Sequence, residues 1–121
     1  PYIYMQRGLA YAQGIGRYDL ALQDLNTALD KSSTSETYMY RGLVYYYKGQ
    51  YSTAVSDFRN AIQLDPKNAE AYLQLAMTYE RLNRTHDAIN AYEAFVRYAD
   101  PRQADIVKHA RTRIQQLRDA K

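Results

Sequence analysis

A tyrosine that returns every 34 residues constrains this chain more than any other feature. Tyr4, Tyr38 and Tyr72 keep that step, as do Tyr11, Tyr45 and Tyr79, and Gly8, Gly42 and Ala76. Further along, Ala21, Ala54 and Ala88 recur at steps of 33 and 34, and Leu25, Phe58 and Tyr92 follow them. The missing residue is located by the turns. The run Gln13-Gly14-Ile15-Gly16 carries one insertion, and the loop around residues 32–35 is shorter by one. Self-similarity at this period marks stacked units, none of which can bury its apolar face alone.

The middle copy shows what each unit is. Tyr38, Gly42 and Tyr45 fall at i, i+4 and i+7, which is one face of a helix. Lys48-Gly49-Gln50 interrupts it, and Ala54, Phe58 and Ala61 restart the spacing on a second helix. Pro66 stops that helix, because proline has no amide proton for the next backbone bond. Gly8 and Ala21 are small where two helices of a unit should cross. The chain thus predicts helices over about residues 2–12, 18–30, 36–48, 52–64, 69–82 and 85–98. Serine or threonine in the 32–35 loop can cap the third, where a plain capped turn outweighs a phosphorylation site. A last helix begins at Asp100-Pro101-Arg102-Gln103, with an N-cap aspartate, proline at the first helical position and glutamine at the third. It carries Ile106, Val107, Ala110, Ile114 and Leu117 on one stripe, the amphipathic pattern of a helix covering the end of a solenoid.

A helix–turn–helix unit of this period, with Tyr38, Gly42, Tyr45, Ala54, Phe58, Ala61 and Pro66 in place, resembles the tetratricopeptide repeat. The other copies match at Tyr4, Gly8, Tyr11 and Ala21, and at Tyr72, Ala76, Tyr79, Ala88 and Tyr92. The departures are Arg7 and Arg41 where the family often has leucine, Phe95 where a small residue belongs, and Pro101 one position late. The resemblance implies an all-α fold, a right-handed α-solenoid of antiparallel helix pairs with seven helices. Three repeats are expected over about 1–34, 35–68 and 69–100, followed by a capping helix over 101–121. Pro1 is already in register with the repeat, so a piece of a longer protein is expected, with no cap at its N-terminal end.

The first helices carry more apolar surface than a unit's own core needs. Off the core face lie Tyr2, Met5 and Leu9, then Met39, Leu43, Tyr46 and Tyr47, then Leu73 and Met77. The second helices have ordinary polar outer faces, such as Ser56, Arg59, Asn60 and Gln63. In the family that the chain resembles, first helices line the concave side, where partners dock. Methionine and tyrosine suit adaptable recognition, and such a face would take an amphipathic helix or an extended apolar segment of another protein. Leu9 and Leu43 are equally explained as packing between neighbouring units. Self-association through the N-terminal end or this face is the alternative role. The family's clamp of lysine, asparagine and arginine for a peptide's terminal carboxylate has no counterpart, since the matching positions are Met5, Leu9, Tyr40, Glu70 and Gln74.

Composition argues against catalysis and against cofactors. There is no cysteine, hence no disulfide framework or thiolate metal site, which fits a reducing compartment such as the cytoplasm and is compatible with an oxidising one. His86 and His109 stand apart, without metal-ligand spacing, and Gly14-Ile15-Gly16 lacks the lysine and serine of a phosphate loop. Neither a metal nor a cofactor is expected. No apolar run approaches a membrane span. Residues 101–121 hold six basic and two acidic groups. With no aromatic residue among them, a solvated outer face is the expectation over nucleic-acid contact.

Overall fold

A computed structural model describes residues 18–120. Among these residues there are six α-helices: α1 (Tyr18–Lys31), α2 (Ser35–Tyr47), α3 (Tyr51–Leu64), α4 (Ala69–Arg81), α5 (Thr85–Tyr98) and α6 (Ala104–Asp119). A short 3₁₀ turn, Pro101–Gln103, leads into α6. The count is therefore six rather than seven, and the helix expected over about residues 2–12 lies outside the described residues. So do Tyr2, Tyr4, Met5, Gly8, Leu9 and Tyr11.

The helices stack in chain order. α2 pairs with α3 and α4 with α5, each pair packs on the next, and α6 covers α5. α2 also touches α4 directly. One continuous core runs from α2 to α6 through Phe58, Ala61, Leu75, Ala76, Tyr79, Ala88, Phe95 and Ile114. A smaller cluster of Ala21, Leu25 and Val44 joins α1 to α2. Alanine dominates the crossings because small side chains let helix axes approach. At Gly42 the approach is close: a Cβ there would lie 2.7 Å from the Phe58 ring, which is itself fully buried.

Local signals end the helices as the sequence predicts. Thr34 caps α2 by accepting a hydrogen bond from the Thr37 amide at 3.1 Å, and Asn68 caps α4 by accepting from Ala71. The Asp100 capping box is present, with Gln103 returning the second bond. Hydrogen bonding to the Arg102 side chain holds the Asp100 carboxyl below the usual carboxylate range. After α2 and α4 the chain reverses through left-handed residues, Gly49 (φ 86°) and Asn83 (φ 58°). Glycine needs no steric concession there and asparagine needs little.

Three expectations need correction. Pro101 does not open an α-helix; its turn is 3₁₀, and α-helix begins at Ala104. Ile106 is not on the buried stripe of α6. Val107, Ala110, Ile114 and Leu117 pack on the core, whereas Ile106 sits at the edge of that face, on the side of Arg113, and is 41% exposed. Arg41 is no mere departure from the repeat pattern. Its guanidinium donates to both oxygens of the Asp57 carboxylate, at 2.9 and 2.7 Å, and to Asn26 Oδ1 at 2.9 Å, tying α1, α2 and α3 together.

Candidate functional site

The expected face divides once its neighbours are in place. Met39 and Leu43, expected on that face, are buried members of the main core. α2 touches the first helix of the next pair, and Met39 and Leu43 share one core with Leu75 and Ala76 of that helix. Leu43 thus follows the packing alternative. The equivalent residues one repeat on, Leu73 and Met77, face α6. Leu73 is half-buried and Met77 is 37% exposed. Tyr46 is half-buried and Tyr47 exposed.

A groove of about 720 Å³ opens between α4 and α6. α4 supplies Leu73, Met77, Glu80 and Arg81; α2 supplies Tyr46; α5 supplies Tyr92. The opposite wall is α6, with Ile106, His109, Ala110, Thr112, Arg113 and Gln116. Tyr46, Leu73 and Met77 therefore share one lining. Tyr47 is outside the lining, and Tyr92 faces it although its position in the repeat marks it as core.

Polar groups that sequence reading left on the helix surface give the groove its frame. Glu80 Oε1 accepts from Arg113 Nε at 2.7 Å, and its other oxygen accepts from the Tyr92 hydroxyl. Burial, and then this bond to Glu80, pushes the Tyr92 hydroxyl well above the ordinary tyrosine range, so it remains a donor at neutral pH. The triad fixes α6 against α4 and α5, and Arg118 with Glu93 adds a second tie at 2.8 Å. On the other lip, Arg81 Nε donates to the Tyr46 hydroxyl at 3.2 Å, with its guanidinium over the Tyr46 ring. Tyr46 in turn meets Tyr47 and Tyr51 edge-on, at 5.8 and 5.3 Å. Glu80 and Arg81 stand at i+3 and i+4 from Met77, a spacing legible in the sequence; their partners on other helices were not.

Among the described residues no cluster of histidine and carboxylate groups could hold a metal, and no helix is long and apolar enough to cross a membrane. Of the basic groups on the last segment, Arg113 and Arg118 are engaged by the repeats and Arg102 by Asp100.

Stacked helix pairs closed by an amphipathic last helix define a helical-repeat solenoid. Family models described as TPR repeat and tetratricopeptide repeat match residues 42–83 and 69–100. Over these residues the chain carries tetratricopeptide repeats, the repeat of a family of protein-interaction scaffolds that is generally non-enzymatic. A TPR repeat-containing protein of Methanocaldococcus jannaschii, MJ1428, is 26% identical over 102 residues, covering 84% of this chain and 18% of that protein. The chain thus spans under a fifth of that relative's length. The translocator chaperone SycD of Yersinia enterocolitica superposes with a TM-score of 0.87 at 12% identity, over 97% of this chain and 82% of that one. The first TPR of Spaghetti (RPAP3), bound to the HSP90 peptide SRMEEVD, gives 0.78 at 17% identity, over 94% and 92%. These likenesses concern the fold.

Proposed function

We propose that the domain is a non-enzymatic scaffold that holds an apolar or amphipathic segment of a partner protein in the groove between α4 and α6. The observation that carries this reading is the exposure of Met77 and Ile106 on facing walls of one groove, rimmed by polar groups already fixed in place. A flexible thioether and a branched aliphatic chain would grip an inserted side chain by burial, while the rim sets its orientation. The peptide-bound RPAP3 domain supports a peptide ligand for a fold of this kind. The ligand here should differ in chemistry, since Tyr40, Glu70 and Gln74 stand where the carboxylate clamp would have lysine, asparagine or arginine.

The site is proposed to comprise Tyr46, Leu73 and Met77 from the first helices and Ile106 from the cap. Selection of a displayed peptide library on the immobilised domain, followed by titration of the winning peptide into ¹⁵N-labelled protein, tests this. The expected shifts cluster at Met77, Tyr46, Ile106 and Ala110. Shifts confined to the outer faces of α3 and α5 would overturn it.

A further inference from the structure

The groove is not electrically neutral, and its charge identifies the chemistry of what it holds. Its described lining contains two guanidinium groups, Arg81 and Arg113, one histidine and one carboxylate, Glu80. That carboxylate is used up internally, one oxygen on Arg113 and the other on Tyr92. Arg81 differs: its side chain bonds only to a neutral phenol, and among the described residues no carboxylate forms an ion pair with it. The contact uses Nε and lays the guanidinium over the Tyr46 ring, so the charge is held in place with both terminal nitrogens uncommitted. Arginine in that state presents a planar fork matched to a carboxylate. Four residues before it on the same helix, Met77 offers the apolar contact.

Building on the groove reading, we infer that the occupant is a partner segment carrying a side-chain carboxylate next to an apolar anchor, the anchor between Met77 and Ile106 and the carboxylate on Arg81. A second copy of this chain fits less well, because the sequence is net positive by three charges and would bring like charge to a basic rim. Arg81 is not one of the positions that match the terminal-carboxylate clamp, so an internal acidic residue serves and a free C-terminus is not required.

The test is a displayed random-peptide library with blocked C-termini, selected in parallel on wild type, Arg81→Glu and Met77→Glu. Circular dichroism confirms that each is folded. Wild type should enrich Asp or Glu at a fixed offset from a large apolar residue, and Arg81→Glu should enrich Lys or Arg at that same offset. For the best wild-type peptide, Arg81→Gln should weaken binding about tenfold, with a shallower salt dependence. If Arg81→Glu does not fold, the Arg81→Gln comparison decides alone. Apolar peptides lost in Met77→Glu but without acidic enrichment would overturn this inference and leave the groove reading standing. Failure of wild type to select any peptide would overturn both.

Discussion

Gly42 shows how one side chain sets the spacing of a helix pair. Replacing it with alanine drives a methyl group into the buried Phe58 ring, so Gly42→Ala should destabilise the domain by about 1–3 kcal/mol. Chemical denaturation measures this, and an unchanged midpoint would show that the ring moves freely. The next pair has Ala76 with Tyr92 at the same two positions, so the methyl is tolerated where the helices are spaced for it. Arg41 and Asp57 behave as a unit of another kind. The Asp57 side chain is 4% exposed and Arg41 24%, so removing the arginine strands the more deeply buried charge. Arg41→Leu should cost about 3–5 kcal/mol, and Asp57→Ala less, because water can still reach the guanidinium. The double replacement should recover much of the loss, since it reproduces Leu75 and Ala91, the equivalent residues one repeat on. A double mutant as unstable as the sum of the singles would contradict this. The sequence also carries Arg7 and Asp24 one repeat earlier, so the charges are present or absent together. Their meaning was not legible beforehand because an arginine on a helix reads as surface until its partner, sixteen residues away, is seen to be buried.

At the scale of the element, most of what the chain announces is punctuation. Thr34 and the Asp100–Gln103 box cap helices where the residue types alone place them, and Asn68 caps α4 beside them. The two hairpin turns are solved with different residues at one position. Nothing lies within 4 Å of a Cβ built on Gly49, so Gly49→Ala meets only the left-handed backbone and should cost about 1 kcal/mol. Asn83→Gly should shift stability by less than about 0.5 kcal/mol, because asparagine already tolerates that conformation. Thermal unfolding of the pair checks both, and an equal loss in both would mean that the turns are held by contacts instead. Stripe reasoning was weaker on the helix faces. Val44 and Thr78, equivalent across the repeat and fully buried, lie off the Tyr38–Gly42–Tyr45 line and were missed. Ile106 was assigned to the core because two adjacent apolar residues cannot be told apart until a neighbouring helix selects one of them.

Across the whole molecule, one sequence position has two fates that depend on what comes next in the stack. Met39 and Leu43 are buried where α2 touches the next first helix; Leu73 and Met77 line a groove where α4 faces α6. The 34-residue period makes the stacking legible, yet it assigns equivalent residues equivalent roles, and that is where the site reading went astray. Function in such a scaffold gathers where the repeat is interrupted, since an unbroken stack buries its own apolar surface. The basic segment at the end follows the same logic, with Arg113 and Arg118 spent on Glu80 and Glu93 to seat the cap. The central claim is that apolar exposure matters by place and not by amount. Leu64 is 52% exposed, more than Met77 at 37%, yet it lies outside the groove lining. The deciding measurement is the affinity of a library-selected peptide for Met77→Glu and Leu64→Glu, both verified as folded. Met77→Glu should weaken binding about tenfold or more, while Leu64→Glu stays within about twofold of wild type. Equal losses in the two variants, or unaltered binding by Met77→Glu, would contradict the account.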